Sequence, residues 1–411
     1  MTTSVYVAYA LVGIVALALA ATSRSIRRLP LSEPLVALVL GVLVGPHVLG
    51  WLTVPRPLAD SLLLEGTRLL LAASVMAAAL RFPARALRDV ARAVGWLLVV
   101  AMPLAAVLTG TAALALGLPV GLALVLGCCL CPTDPVLAAA VVTGEPAERG
   151  LPGRLRRIIT VESGANDGLA LPLVGVAIAV VLPESLGAAV PRALVEVVGG
   201  TLVGVVLGAL TGLVLRRARD RGALEAGPEL VMPLLLAVAT LGVAKVLGLA
   251  GVLAVFVAGL AYNVVLDQGA HRGDQERERS AQDELDEAVN RYAVLPVFVL
   301  LGVMLPWEDW AALGPAAVLL VAAALLVRRP PVVTLLARPL GLPVRAAAFA
   351  GWFGPMGVSA LFYLAHSRSE GVTDPRLFAA GTLAVAASVL VSGVTAAPLR
   401  SLYARRSAAP V

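Results

Sequence analysis

Cys131-Pro132-Thr133-Asp134-Pro135 lies in the middle of an apolar run, 119–142, that carries no other charge. Two prolines three residues apart remove two backbone donors and obstruct a continuous helix, and a carboxylate stands between them. The carbonyls opened by such a break, that of Thr133 among them, require a cation or a cavity, because hydrocarbon offers them no partner. The stretch therefore predicts a helix that enters a membrane, unwinds at Asp134 and continues.

The rest of the chain agrees with a lipid environment. Apolar residues make up 59% of the 411 positions and charged residues 14%, against about 45–50% and 25% in soluble domains. Windows near twenty residues give thirteen spans: 5–22, 33–52, 58–80, 90–117, 119–142, 158–182, 189–215, 229–247, 249–266, 290–306, 311–337, 343–366 and 375–399. Only a Gly-rich turn near Gly248 separates the eighth from the ninth, and Pro330-Pro331 must bend the eleventh.

Charge between the spans orients them. Alternate loops and adjoining span ends, counted from an external N-terminus, hold 24 of the 32 basic residues on the cytoplasmic side. The other side holds Arg56, Arg192, Arg368 and Arg376. The net charge of +6 is thus a topology signal and excludes no-membrane readings such as nucleic-acid binding. The expectation is a multi-pass protein of the cell (inner) membrane with its N-terminus outside and its C-terminus cytoplasmic. The first run is read as a retained span because its arginines follow it, and the mixed-charge stretch 267–291 as a solvated cytoplasmic loop.

Ionisable groups at membrane depth are costly and point to function. Besides Asp134 they are Glu65, Arg68, Glu162, Asp167, Lys245, Arg328 and Arg329, with Glu196 nearer a span end. In Glu162-Ser163-Gly164-Ala165-Asn166-Asp167 the i, i+3, i+4 spacing puts Ser163, Asn166 and Asp167 on one helical face. Glu162 stands about 140° from Asp167 and needs its own cation, which is Arg329 or its neighbour Arg328. Glu65 and Arg68, three residues apart, read as a self-contained pair, the alternative being that Glu65 faces the cation path, and Lys245 snorkels to the outer interface. Cys128, Cys129 and Cys131 are packing residues in an apolar run, with neither disulfide nor zinc spacing.

Thr133-Asp134-Pro135-Val136-Leu137-Ala138, Glu162 to Gly168, Gly251 to Tyr262 and Gly351-Trp352-Phe353-Gly354-Pro355 together resemble the monovalent cation/proton antiporter superfamily. Within it, the chain is similar to the sodium/hydrogen exchanger branch with an Asn-Asp pair. The resemblance implies an all-α polytopic membrane protein of about thirteen helices with two unwound crossing helices, and the odd span number permits two inverted six-helix repeats around a linking helix. It implies one transmembrane unit, 1–411, divided into a core (about 90–182 and 311–399) and a dimerisation scaffold (about 5–80 and 189–306). It further implies that Asp167 exchanges a cation for a proton, that Thr133, Asp134 and Ser163 help to hold the cation, that Asn166 braces the site, and that Glu162 pairs with Arg329. Three positions depart from the family pattern: Met356 replaces an arginine after Gly-Trp-Phe-Gly-Pro, no acid stands near Val75, and Lys245 occupies a place often acidic or neutral.

The implied activity is electroneutral exchange of sodium or lithium for protons by alternating access, with cation and proton competing at Asp167. No cofactor or resident metal is expected. The partners are sodium or potassium ions, protons, membrane lipid and a second copy of the chain. A potassium/proton antiporter is the nearest alternative, since a slightly wider oxygen cage accepts the larger ion. A cation channel needs a continuous lined pore and not broken helices meeting at carboxylates. An intramembrane enzyme would need a nucleophile or metal cluster beside its aspartates, and none accompanies them.

Overall fold

A computed structural model describes residues 31–142, 145–182, 186–222, 226–267 and 295–408, with isolated positions of the first apolar run. The expected span 5–22, those positions apart, and the charged loop after Asp267 lie outside the described residues. Every regular element among the described residues is a helix.

In chain order the principal helices are α1 (Glu33–Val44), α2 (Leu58–Leu80) and α3 (Ala91–Leu116), α4 (Val120–Leu130) and α5 (Pro135–Val142). There follow α6 (Gly153–Val181), α7 (Leu186–Asp220), α8 (Ala226–Val246), α9 (Gly251–Asp267) and α10 (Leu295–Val303). The last are α11 (Ala316–Leu335), α12 (Val344–Trp352), α13 (Val358–Ser369) and α14 (Pro375–Ala408). Among the described residues, seven helical stretches are long and apolar enough to cross a membrane, Val120–Ala139 counted through its break. The chain is a multi-pass membrane protein.

Two expected spans are each split into half-helices. α4 ends at Leu130 and α5 begins at Pro135. α12 ends at Trp352 and α13 begins at Val358, across Phe353-Gly354-Pro355-Met356-Gly357. None of the four pieces exceeds twelve residues, well short of the ~20 needed to span alone. α11 is distorted as well: a π-helical turn, Ala323–Val327, precedes Arg328, and Arg329 (φ −131°) leaves helical geometry just before Pro330. Pro330 has no N–H to donate to the preceding turn, so the ladder breaks there.

Lipid tails are as apolar as leucine, so helices associate here through close packing of small residues. On α7, Gly200, Gly204 and Gly208 lie one turn apart along the face that meets α9. A Cβ at Gly200 would stand 2.9 Å from the Ala250 carbonyl oxygen, and one at Gly208 would fall on the carbonyl oxygen of Ala258. Gly41 of α1 and Gly302 of α10 approach each other's backbones in the same way, as do Gly110 of α3 and Gly127 toward α4 and α3. Gly248, at φ +67°, makes the turn between α8 and α9, a left-handed conformation that glycine adopts without penalty.

This packing yields a paired expectation. Gly208→Val should lower thermal stability in detergent by about 1–3 kcal/mol, because α9 must move away. Gly242→Ala on α8, where a Cβ meets nothing within 4 Å, should be neutral or stabilising by up to about 1 kcal/mol. Equal melting temperatures for wild type and Gly208→Val would show that α7 and α9 do not meet at this face.

Candidate functional site at the crossing of two broken helices

The two breaks touch. The backbone N–H of Asp134 donates to the carbonyl of Pro355 at 2.8 Å, and Gly357 comes so close that a Cβ there would lie 2.6 Å from Asp134 Oδ2. A crossing of two broken helices leaves four half-helix ends in the middle of the protein, two with unpaired N–H groups and two with unpaired carbonyls.

Asp134 serves both N-terminal ends. Its Oδ1 accepts from the N–H groups of Val136 (2.8 Å) and Leu137 (3.0 Å) at the start of α5. Its Oδ2 accepts from those of Val358 and Ser359 (3.4 Å) at the start of α13. Arg328 serves both C-terminal ends: Nη1 donates to the carbonyls of Leu130 (2.7 Å), Cys131 (3.2 Å) and Pro132 (3.1 Å), and Nη2 to that of Gly354. A fixed guanidinium thus meets three opened carbonyls of the first break, those of Leu130, Cys131 and Pro132. Each charge also has the sign that the adjoining helix dipoles favour.

A second network lies beside the first. Arg329 Nη1 and Nη2 meet Glu162 Oε1 and Oε2 at 2.8 and 3.0 Å, a bidentate pair buried within the protein. Asn166 Nδ2 donates to Glu162 Oε1 and to Thr133 Oγ1, both at 2.8 Å. Thr133 Oγ1 donates to Glu162 Oε2 at 3.3 Å, and the Thr133 N–H reaches Asn166 Oδ1 at 3.3 Å. Asn166, grouped by spacing with Asp167, is turned instead toward Glu162, from which it stands only about 40° on the helical wheel. It ties α6 to the first break.

Asp167 differs from every group so far. It is fully buried, yet among the described residues no protein group hydrogen-bonds to either carboxyl oxygen. Ser163, one turn earlier on the same face, donates to the carbonyls of Ile159 (2.9 Å) and Thr160 (3.2 Å). Thr160, about two turns from Asp167 on that face, has a buried hydroxyl without a partner among the described residues. From α13, Tyr363 donates its hydroxyl to the Asp167 carbonyl, and Ser359 stands next to the Asp167 carboxyl without closing a hydrogen bond to it. Neither α13 residue is marked by sequence spacing, because nothing in the order of residues says which turn of α13 faces α6.

The remaining expectations are easily placed. Glu65 and Arg68 lie 2.5 Å apart on α2, Glu65 exposed and Arg68 half-buried over the ring of Phe362, and Lys245 is exposed near the end of α8. Met356 is buried in the second break, its N–H donating to Ser388 Oγ at 2.9 Å. The three cysteines are buried and free. Among the described residues no group of three His, Cys, Asp or Glu side chains is placed to hold a metal ion.

Two crossed, broken helices with buried carboxylates at their junction define a secondary-transporter architecture. The family model for the transmembrane part of sodium/hydrogen exchangers matches residues 14–401, so the chain belongs to the sodium/hydrogen exchanger family. It is 31% identical over 394 residues to Na(+)/H(+) antiporter 2 of Zygosaccharomyces rouxii, covering 90% of this chain and 46% of that one. It is 30% identical over 388 residues to the Na(+)/H(+) antiporter of Saccharomyces cerevisiae, covering 89% and 38%. The chain therefore spans less than half the length of these yeast relatives. Its fold matches the sodium proton antiporter MjNhaP1 of Methanocaldococcus jannaschii with a TM-score of 0.80 over 98% of this chain and 99% of that one, at 16% identity.

The Glu162 and Arg329 pair should prove structural. Glu162→Ala leaves a buried guanidinium without its anion and should cost about 3–5 kcal/mol, read as a lower melting temperature and folded yield. Arg329→Ala in the same background should recover part of that loss, since the stranded charge goes with it. A Glu162→Ala protein that melts like wild type but does not transport would put Glu162 in the ion path.

Proposed function

We propose that this chain exchanges sodium for protons across the cell membrane, one for one, with Asp167 as the shared binding group. The observation that carries the reading is the uncommitted carboxyl of Asp167 inside a site whose other charges are all engaged. A bare carboxylate in that position is expensive, so it takes up either a proton or a small cation.

Charge arithmetic supports the stoichiometry. The buried charged side chains among the described residues are Asp134, Glu162, Asp167, Arg328 and Arg329. Asp134 and Glu162 balance the two arginines, which leaves Asp167. One proton or one monovalent cation on Asp167 brings the site to neutrality, and the empty site carries a net negative charge. The loaded forms thus cross the membrane at lower cost than the empty form, which favours coupled exchange over leak.

Ser163 Oγ spends its proton on its own helix and keeps lone pairs for a cation beside Asp167. Asp134 and Thr133 contribute by shaping the crossing, and Asn166 by bracing α6 against it. The exchange moves by rocking of a core, about 90–182 and 311–399, past a dimerisation scaffold, about 5–80 and 189–306, within a homodimer. Gly164 and Gly168, which flank Asp167, bring α6 against Phe256 and Leu253 of α9, a smooth surface suited to that motion. Breaks in the fifth and twelfth of thirteen expected spans, seven apart, fit two inverted six-helix repeats around a linking helix. The basic loops set the N-terminus outside and the C-terminus in the cytoplasm.

Purified protein in liposomes with an imposed pH gradient tests this reading. Sodium or lithium should dissipate the gradient without generating a voltage, and lowering the pH on the sodium side should raise the apparent KM for sodium by competition. Asp167→Asn, which keeps size and hydrogen bonding but loses titration and charge, should abolish exchange while remaining folded. Full exchange in Asp167→Asn would remove Asp167 from the role, and a response to potassium alone would move the substrate to the larger ion.

A further inference from the structure

Ser359 is not among the residues whose type and spacing point to an ion, and the network of the crossing does not use its side chain. It is fully buried in the first turn of α13, and among the described residues its hydroxyl closes no hydrogen bond. A buried hydroxyl left unmade costs free energy, and such groups are rare in native proteins. Its place explains the exception. The Ser359 N–H donates to Asp134 Oδ2 at 3.4 Å, which fixes the backbone of this turn at the crossing. Tyr363, one turn further on the same face, donates to the Asp167 carbonyl, which sets that face of α13 against Asp167. The Ser359 hydroxyl and the Asp167 carboxyl are therefore held side by side, both buried and neither committed to any other described group.

We infer that the Ser359 hydroxyl is a direct ligand of the transported cation, completing with Asp167 and Ser163 an oxygen cage shared between α6 and α13. The inference rests on the sodium/proton exchange proposed above and adds a ligand from the second broken helix. In the proton-loaded form the carboxylic acid of Asp167 and the Ser359 hydroxyl satisfy each other. When sodium enters, the O–H bond of the acid breaks, its proton leaves to water, and the electron pair stays on the carboxylate. Ser359 then turns a lone pair to the cation. A neutral hydroxyl suits this task because it adds a hard oxygen ligand without adding charge, so the site remains neutral with one cation bound.

The test compares wild type, Ser359→Ala and Ser359→Thr, in liposome exchange and in the sodium-dependent rise of melting temperature in detergent. Ser359→Ala should raise the apparent KM for sodium about tenfold with little change in maximal rate, while Ser359→Thr, which keeps the hydroxyl, should stay within about twofold. The sodium concentration that stabilises the fold should rise in Ser359→Ala in parallel, while Ser359→Thr melts like wild type without sodium. Wild-type KM and sodium stabilisation in Ser359→Ala overturn the inference. So does a raised KM that Ser359→Thr fails to restore and that accompanies a lower melting temperature without sodium, since the residue then acts through the fold. Wild-type protein that exchanges no alkali cation sinks the antiport reading itself, whereas wild-type exchange with an unaltered Ser359→Ala sinks only the role of Ser359.

Discussion

A helix broken within a membrane leaves backbone N–H and carbonyl groups where lipid supplies no partner, and here two such helices break at the same point. One carboxylate and one guanidinium resolve the problem. Asp134 gathers the free N–H groups of α5 and α13, and Arg328 gathers the free carbonyls that end α4 and α12. Among the described residues, each charge is compensated by backbone dipoles and hydrogen bonds and not by a direct counter-ion. Without them neither break is tolerable.

The consequence is a division of labour among buried acids that sequence type alone does not reveal. Asp134 spends its oxygens on four backbone donors, Glu162 spends its on Arg329, Asn166 and Thr133, and Asp167 spends none on donors among the described residues. The rigid groups hold the crossing at fixed charge. In the exchange proposed above, the free one changes its occupant.

Much of this arrangement was legible in the sequence. Pro132 and Pro135 mark the first break because proline lacks the donor that a helix needs. The 140° between Glu162 and Asp167 separates an acid that requires a fixed partner from one that does not. The choice between Arg328 and Arg329 was not legible, since adjacent residues have the same depth and charge. It is decided by Pro330, which pulls Arg329 out of helical geometry (φ −131°) and sends the two guanidiniums to different partners. The orientation of Asn166 and the place of Ser359 depend on how α6 meets the first break and α13, and long-range packing of that kind leaves no local periodicity to read. The overall membership was legible because four motifs keep their order along the chain, whereas the ends of individual spans shift where glycine or proline opens a turn, as at Gly248.

The central claim is that Asp167 is the one buried charge free to change its occupant. Calorimetry of sodium binding to the purified protein, in buffers of different ionisation enthalpy, counts the protons released. One proton leaving for each sodium bound, at a pH where the site is proton-loaded, is the result this arrangement predicts. Sodium binding with no proton released, or with two, would contradict it.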